Sequence, residues 1–253
     1  AFGEAGHRVV VEEFLVGEEA SFIVMADGRN VLAMATSQDH KARDEGDVGP
    51  NTGGMGAYSP APVVTPEVEA RIMRLVIEPT LAGMQADGNN YTGFLYAGLM
   101  IMPDGTPKVI EFNCRFGDPE TQPIMMRLRS DLVEICAATL DGGLGSLAAE
   151  WDPRAALGVV MAAGGYPGSY AKGAPISGLG SADSESRKVF HAGTARRDGD
   201  VVTAGGRVLC AVGLGETVAK AAGEAYAAVA KVCWDGVYFR RDIGHRAIAR
   251  EAR

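Results

Sequence analysis

The sequence has 253 residues, of which 47% are hydrophobic and 34 are glycine, so it holds enough apolar material for the core of one or two domains and is not typical of a disordered tail. Its net charge of −8, with Lys and Arg scattered along the chain, argues against a nucleic-acid partner. The sequence contains no apolar run of about 18 residues, so we expect no membrane partner. The 4 dispersed cysteines fit reduced thiols, so we expect a cytoplasmic protein.

The first quarter of the chain is predicted to contain strands and a long loop. Three apolar runs separated by turn signals predict strands at 7–15, 20–25 and 31–36. A polar loop rich in Gly and Pro follows over 37–64. Loops longer than about 12–15 residues in compact domains are usually functional or disordered, so this loop is a candidate functional segment.

Helix and hairpin signals dominate the next stretch. Thr65-Pro66-Glu67 combines an N-cap, a first-turn proline and a first-turn acid, which predicts a helix that Pro79 kinks or divides. Two apolar runs joined by Pro103-Asp104-Gly105-Thr106-Pro107 predict a hairpin. The hairpin strands and the helix that follows them are expected at 93–102, 108–114 and 121–140.

The second half of the chain is predicted to form a separate domain. The stretch from Asp141 to Asp152 is rich in Gly and Ala, so we place a boundary there and expect domains at 1–147 and 152–253. Apolar runs and a helical spacing of Ala and Val predict the elements of the second domain. They are strands at 157–163, 188–191 and 207–212 and a helix at 217–232.

The segment K-V-I-E-F-N-C-R-F-G-D-P-E, residues 108–120, carries the strongest chemical signal. Side chains alternate along a strand, so Glu111, Asn113 and Arg115 share one face, and the apolar face of Ile110 and Phe112 is expected in the core. Carboxylate and amide oxygens suit Mg²⁺, and an arginine can hold a phosphate through two hydrogen bonds. The alternative is a solvated strand face.

Two other segments allow both a functional and a structural interpretation. Backbone groups of V-V-V-E-E-F-L, residues 9–15, could pair with an adenine edge while Glu19 accepts hydrogen bonds from ribose; the alternative is an ordinary strand end. The glycines of 49–56 would let backbone N–H groups approach an anion; the alternative is a flexible surface loop. His40 could contact a substrate, but a lone loop histidine is usually solvated, and it is interpreted as a solvated loop residue.

Five segments follow one another in an order that resembles a known family. They are E-E-F-L-V-G-E-E-A-S, A-T-S-Q-D-H-K, G-P-N-T-G-G-M-G-A-Y-S-P, G-F-L-Y-A-G-L-M and I-E-F-N-C-R-F-G-D-P-E-T-Q. Together they resemble the phosphoribosylamine–glycine ligases of the ATP-grasp superfamily, and the likeness continues to the C-terminus. E-F-N alone indicates only an ATP-grasp protein, whereas the N-T-G-G-M-G-A-Y-S-P and N-C-R-F-G-D-P-E-T-Q motifs indicate this ligase family.

The resemblance implies a fold and a set of residue roles. The fold is α/β (α+β), with an ATP-grasp lobe of antiparallel sheet and helices followed by a smaller C-terminal α+β domain. The implied roles are adenine contacts by Glu12, Glu13 and Leu15, a ribose contact by Glu19, Mg²⁺ (or Mn²⁺) ligation by Glu111 and Asn113, and catalysis by Arg115. Substrate contacts are implied for Asp118, Pro119 and Glu120, and for Asn51, Thr52, Gly53 and Gly54 of a closing loop that runs from Asn51 to Gly56.

The implied reaction uses ATP to join glycine to 5-phosphoribosylamine through glycyl phosphate, and it yields glycinamide ribonucleotide, ADP and phosphate in purine synthesis. The family also has an N-terminal domain and a first ATP-grasp lobe, which are expected to be absent here because no residue precedes Ala1; they could act as a separate partner segment. Two alternatives stay open, namely another ATP-grasp carboxylate ligase and a non-catalytic binding module.

Overall fold

The computed structural model describes residues 7–252 of the chain. Its strands, numbered in chain order, are β1 (Glu18–Asp27), β2 (Val31–Ala33), β3 (Gln38–Asp39), β4 (Ala42–Asp44), β5 (Val48–Asn51), β6 (Gly56–Ser59), β7 (Thr92–Ile101), β8 (Pro107–Asn113), β9 (Ala155–Ala163), β10 (Arg187–His191), β11 (Thr194–Arg197), β12 (Asp200–Thr203), β13 (Arg207–Gly215) and β14 (Val237–Tyr238). The helices are α1 (Pro66–Ile72), α2 (Glu78–Ala86), α3 (Thr121–Arg127), α4 (Leu132–Asp141), α5 (Val218–Val229) and α6 (His245–Glu251).

The first sheet is antiparallel, has the order β2-β1-β7-β8 and packs between two helical layers. Alternate residues of β1 face opposite layers. Phe22 and Val24 are buried in the cluster that includes residues of α1 and α2, and Ile23 and Met25 are buried in the cluster that includes residues of α3 and α4. Both faces of the central strands are therefore apolar, which explains their nearly continuous hydrophobic sequence.

The helix predicted from Thr65 forms as expected. The Thr65 hydroxyl accepts a hydrogen bond from the Val68 amide, and Pro66 occupies the first turn. A π-helical turn, Met73–Ile77, separates α1 from α2, and Pro79 lies in the first turn of α2. The helix is divided just before the proline because a proline has no N–H to donate and its ring crowds the preceding turn.

The second sheet has the order β10-β13-β9-β6-β3, with β14 also paired to β9. Helix α5 packs on it through small residues, among which Ala221 and Ala225 are fully buried. Strands β3 and β6 come from before the predicted boundary at 148–151, so this sheet contains residues from both predicted domains. The division of the chain at that boundary stays a prediction.

Three expectations about single elements are wrong. Residues 7–15 form no strand, and Val9, Val10, Val11 and Phe14 are 79–91% exposed, because no strand in the described part of the chain pairs with them. The expected helix over 121–140 is two helices, since the chain is extended at Leu128 and Asp131 caps α4 through the amides of Val133 and Glu134. The long loop contains four short strands, β3 to β6.

The expectation that one face of β8 lies in the core is also wrong. Ile110 is 42% exposed and Phe112 is 40% exposed, because β8 is the edge strand of its sheet. A register shift between Gly98 and Leu99 of β7 leaves Ile110 without a partner across the ladder. The bulge breaks the simple alternation of faces, while Glu111 and Asn113 lie on the regular side of it and keep a common face.

Among residues 7–252, no helix combines the length and the apolar character that crossing a bilayer requires.

Candidate functional site

A cavity of about 390 Å³, here called the central cavity, opens where the first sheet, the segment after β8 and the loop after β5 meet. Most of the predicted substrate and catalytic residues line it, together with four residues that were not predicted as site residues, namely Asp39, Lys41, Tyr96 and Ile110. Its lining residues are Glu19, Asp39, Lys41, Asn51, Thr52, Gly53, Tyr96, Ile110, Glu111, Arg115, Asp118 and Glu120.

The side chain of Glu111 on β8 lies over Gly98 of the neighbouring strand β7, because the glycine leaves room for it. Gly98 pairs with Glu111 in the ladder, and a Cβ at Gly98 would stand 3.1 Å from Cγ of Glu111 and 3.3 Å from Cε1 of Tyr96. Asn113 pairs with Tyr96 on the same face and is half-buried. Glu111, Asn113 and Tyr96 therefore form one polar row beside the cavity.

Glu120 is the buried acid of the site, with 2% of its surface exposed. Its Oε1 accepts a hydrogen bond of 2.7 Å from the Ser21 hydroxyl, which also lies 3.0 Å from the Tyr96 hydroxyl. Burial raises the pKa of Glu120, although the hydrogen bonds from Ser21 and Tyr96 oppose this. Gly117 permits the fold of this segment, because a Cβ there would come within 2.8 Å of the Glu120 side chain.

The predicted closing loop, Asn51 to Gly54, is held from two sides. The hydroxyl of Thr52 donates to the carbonyl of Lys41 at 2.9 Å and accepts from the amide of Gly54 at 3.0 Å. Arg207 of β13 donates to the carbonyl of Gly53, to the carbonyl of Asp118 at 2.9 Å and to its carboxylate at 2.8 Å. The second sheet thus positions both the loop and Asp118.

Arg115 lines the central cavity and is exposed. Its Nη1 donates to the carbonyl of Phe116 at 2.7 Å, and its guanidinium lies 5.9 Å from the centroid of the Tyr96 ring. The remaining guanidinium donors are available to an anionic group in the cavity, as expected for a phosphate contact. Pro119 is buried and stands against Gly54, where a Cβ would meet its Cδ at 2.4 Å.

The predicted adenine contacts line a second cavity of about 420 Å³, here called the hinge cavity. Its lining residues are Glu12, Glu13, Phe14, Leu15, Glu19, Met100, Lys108, Val109 and Ile110. Glu19 also lines the central cavity, and it forms an ion pair of 3.0 Å with Lys41. Glu19 therefore stands where the two cavities join.

Asp39 and Lys41 belong to the site but were not predicted. Burial and the neighbouring Glu120 carboxylate raise the pKa of Asp39 to about 7. Burial opposes the charge on Lys41, but the carboxylates of Asp39 and Glu19 outweigh it and raise the pKa of Lys41. In the sequence Q-D-H-K, Asp39 and Lys41 are two residues apart, so an extended chain would place both side chains on one face. Only the fold shows that this face meets the central cavity.

His40 is buried, so the expectation of a solvated loop histidine is wrong. Its Nε2 accepts a hydrogen bond from the amide of Gly244, so its Nδ1 carries the proton and donates to Asp47 at 3.0 Å. His40, Asp47 and His245 lie close enough to one another to form a three-residue metal site. However, both ring nitrogens of His40 are already bonded and Arg240 lies 2.9 Å from Asp47, so the cluster is structural.

Two family models match the chain. Residues 1–121 match the family model for the phosphoribosylglycinamide synthetase ATP-grasp (A) domain, and residues 156–246 match the model for its C domain. The chain is 66% identical over 251 residues to the phosphoribosylamine–glycine ligase of Vibrio vulnificus strain YJ016 and 67% identical to that of Vibrio cholerae. It is 66% identical to that of Salmonella typhimurium.

Solved structures show the same fold. The phosphoribosylamine–glycine ligase of Thermotoga maritima superposes with a TM-score of 0.82 at 39% identity, over 92% of this chain and 57% of that one. The biotin carboxylase subunit of pyruvate carboxylase superposes with a TM-score of 0.63 at 17% identity, over 88% of this chain and 47% of that one, and this likeness concerns the fold alone.

The chain spans 58% of the length of the curated Vibrio vulnificus relative and 99% of its own. The predicted α/β ATP-grasp fold is confirmed by the antiparallel sheets with flanking helices and by these structural neighbours. The motifs, the residues gathered around the central cavity and the matches along nearly the whole sequence agree with one another. The chain therefore belongs to the phosphoribosylamine–glycine ligase family, within the ATP-grasp superfamily.

Proposed function

We propose that this chain provides one side of the active site of an ATP-dependent, cytoplasmic ligase that joins glycine to 5-phosphoribosylamine. The observation that carries the proposal is the gathering of Glu111, Arg115, Asp118, Glu120 and the loop after β5 around one cavity. The loop after β5 is far in sequence from the segment 111–120, and an incidental surface would not be expected to bring these two predicted parts of one site together.

The proposed path of the nucleotide runs from the hinge cavity to the central cavity. The adenine lies against residues 12–15, the ribose hydroxyls donate to Glu19, and the phosphates extend toward Arg115. Lys41, which lines the central cavity beside Glu19, supplies positive charge near the phosphates. Lys108 reaches the other side of the hinge cavity, 3.5 Å from Glu13. The two adjoining cavities and the lysines beside them support a nucleotide that carries phosphates.

The polar row beside the central cavity fits a divalent cation. Glu111 offers a carboxylate and Asn113 an amide oxygen on one face, and hard oxygen donors of this kind suit Mg²⁺ or Mn²⁺. The exposed Glu111 can take an ion that keeps most of its water or phosphate ligands. Such an ion would neutralise charge on the transferred phosphate.

The residues of the chain account for the chemistry without a strong nucleophile. A glycine carboxylate oxygen attacks the terminal phosphorus of ATP, and ADP leaves. The amine of 5-phosphoribosylamine then attacks the acyl carbon, the bond from that carbon to the phosphate oxygen breaks, and the nitrogen gives up a proton as phosphate leaves. Such steps depend on positioning and on charge neutralisation. Arg115 neutralises phosphate charge, and Arg207 holds Asp118 and Gly53 where the two substrates meet.

The proposal is tested by ADP release with ATP, Mg²⁺, glycine and freshly generated 5-phosphoribosylamine, using the native protein that carries this chain. We expect release that requires both glycine and the amine. Release with another carboxylate in place of glycine would indicate a different ATP-grasp ligase. Absence of any release, together with loss of Mg²⁺-dependent nucleotide binding, would favour a non-catalytic module.

Glu111→Ala tests the metal assignment in the same assay. We expect it to weaken Mg²⁺-dependent nucleotide binding by about tenfold or more, because losing a side chain that binds a metal or orients its ligands has effects of this size. Glu185→Ala, which changes an exposed acid far along the chain, is the matched control and should leave binding unchanged. Unchanged binding in Glu111→Ala would remove this residue from the site.

A further inference from the structure

The closing loop is short, and strand pairing holds both of its ends. The four residues 52–55 alone separate β5 from β6. Asn51 at the end of β5 pairs with Ala42 of β4, and Gly56 at the start of β6 pairs with Val159 of β9. A connection this short between two paired strands cannot swing far over a cavity, since a chain spans at most about 3.5 Å per residue.

Every backbone N–H group of residues 52–55 already donates to another group of the protein. The amides of Thr52 and Met55 donate to backbone carbonyls of the segment that joins β3 to β4, each at 2.8 Å. The amide of Gly54 donates to the hydroxyl of Thr52, and that of Gly53 donates to the hydroxyl of Tyr166, each at 3.0 Å. These four N–H groups are therefore not free to bind a phosphate.

The two glycines of this connection make room for close neighbours. A Cβ at Gly53 would stand 2.9 Å from Cζ of Arg207, and a Cβ at Gly54 would stand 2.4 Å from Cδ of Pro119. Met55, which follows them, is fully buried. The glycines of 52–55 are thus explained by tight packing, and they do not by themselves indicate a flexible loop.

Tyr166 reaches the loop from the second sheet. It lies in the turn after β9, and 6.3 Å separate the centroid of its ring from that of Tyr170. Gly206 lies against the ring, because a Cβ there would come 2.3 Å from Cδ2 of Tyr166. The Tyr166 hydroxyl accepts from the amide of Gly53, and Arg207 donates to the carbonyl of the same glycine. Two side chains of the second half of the chain therefore hold both polar backbone groups of Gly53.

We propose that Tyr166 is a positioning residue of the ligase, whose hydroxyl acts with Arg207 to hold residues 52–55 as a fixed wall of the central cavity. The loop is then closed before any ligand binds, and it is not a lid that moves over bound substrates. This inference rests on the proposed function. A wall that is already in place requires no ordering of the loop when the substrates bind, because the entropy of these residues is lost on folding.

Hydrogen exchange of the native protein, measured by mass spectrometry on a peptide that covers residues 51–56, tests whether the loop is fixed. We expect this peptide to be protected without ligands and to change by less than about twofold when ATP, Mg²⁺ and glycine are added, since its amides are already bonded. Tyr166→Phe removes only the hydroxyl, and we expect it to speed the exchange at least about threefold, because the amide of Gly53 loses its acceptor.

Tyr170→Phe is the matched control for the exchange measurement. It removes a hydroxyl from the neighbouring ring, and that hydroxyl forms no hydrogen bond with any residue of the described range 7–252. The exchange of the peptide 51–56 should be the same in this variant as in the wild type.

Kinetics then separate positioning from a purely structural role. We expect kcat/KM for glycine ligation to fall about three- to tenfold in Tyr166→Phe, because the wall loses one of the bonds that place it. The Kd for ATP with Mg²⁺ should stay within about twofold of wild type and the melting temperature within about 2 °C, since the half-buried ring remains in place. Tyr170→Phe should change none of these values.

Three outcomes would overturn the proposal. The first is fast exchange at 51–56 that slows only when the substrates are present, which would show a moving lid. The second is unchanged exchange in Tyr166→Phe, and the third is a parallel loss of activity, nucleotide binding and melting temperature, which is typical of a structural residue. Absence of ligation by the wild type would contradict the proposed function, while the exchange of the loop would still decide whether it is fixed.

Discussion

Arg207 and Asp118 join the two sheets at the edge of the central cavity. Nη2 of Arg207 lies 2.8 Å from Oδ2 of Asp118, and Nη1 lies 2.9 Å from the carbonyl oxygen of the same residue. Arg207 begins β13 in the second sheet, whereas Asp118 follows β8 of the first. Because Arg207 also donates to the carbonyl of Gly53, one side chain fixes three parts of the site.

Replacing Arg207 with Lys should loosen this arrangement. Lysine keeps the charge but cannot make the paired contacts of a planar guanidinium. We expect kcat/KM for ATP-dependent glycine ligation to fall about 10–100-fold, since small displacements of substrate-positioning groups have effects of this size. The melting temperature should change by only a few degrees, because Asp118 is half exposed and its ion pair with Arg207 contributes only about 1 kcal/mol to the free energy of unfolding.

The control for this prediction is Arg196→Lys, which alters an exposed arginine of β11. It should leave both the kinetics and the melting temperature unchanged. Asp118→Asn should lower kcat/KM in the same direction as Arg207→Lys, and the double variant should lose less than the sum of the two. Additive losses would show that the two residues do not act through their contact.

Gly54→Ala should displace the closing loop. Gly54 has a φ angle of +111°, which side chains with a Cβ rarely adopt, and the added Cβ would lie 2.4 Å from Cδ of Pro119. We expect activity to fall at least about tenfold, with a smaller effect on thermal stability. Gly83→Ala is the control, because nothing lies within 4 Å of its Cβ position in α2 and alanine favours helix, so it should stabilise by about 0.5–1 kcal/mol.

Asp39 should make the protein less stable as the pH rises. Burial and the Glu120 carboxylate raise the pKa of Asp39 from 3.8 to about 7 in the folded protein. The folded state then binds more protons than the unfolded state between these values, so the free energy of unfolding falls as the pH rises from about 4 to 7. Asp39→Asn should therefore stabilise the protein by up to about 4 kcal/mol at pH 8, since one unit of pKa shift corresponds to about 1.4 kcal/mol, and it should have little effect at pH 4.

Denaturant unfolding of wild type and Asp39→Asn at pH 4, 6 and 8 measures this difference. A stability gain that is equal at pH 4 and pH 8 would contradict the titration of Asp39. A gain at pH 8 that is absent at pH 4 would assign the lost stability to the charge of Asp39.

Asp27 should have the opposite dependence on pH. Burial would raise its pKa, but hydrogen bonds from the amides of Asn30, Arg29 and Leu144 and from the Asn30 side chain outweigh it and lower the pKa to about 2. The contribution to stability is present above the unfolded pKa near 4 and is lost as the pH falls toward 2. Asp27→Asn should lower the melting temperature by about 3 °C at pH 7.

The difference between wild type and Asp27→Asn should narrow between pH 4 and pH 2, and thermal unfolding followed by circular dichroism measures it. Asp141→Asn, at the exposed end of α4, is the matched control and should show no such pH dependence. If the melting temperatures of wild type and Asp27→Asn differ by the same amount at all pH values, the charge of Asp27 does not contribute to stability.

The sequence by itself determined the features that depend on neighbouring residues. Thr65 capped its helix, the β7–β8 hairpin formed around its predicted turn, and the family was recognisable from the motifs in their order. The alternation on β8 also placed Glu111 and Asn113 on one face. Capping, turn formation and alternation follow from contacts within a few residues, so local sequence is sufficient for them.

Only the tertiary structure decided the features that depend on distant residues. It joined β3 and β6 to the second sheet, brought Asp39 next to Glu120 and aligned Arg207 with Asp118. It also left the apolar residues 9–11 exposed, although their sequence alone predicted a buried strand. Pairing, burial and the pKa of a carboxyl group depend on which segments meet in space, and no local pattern encodes that meeting.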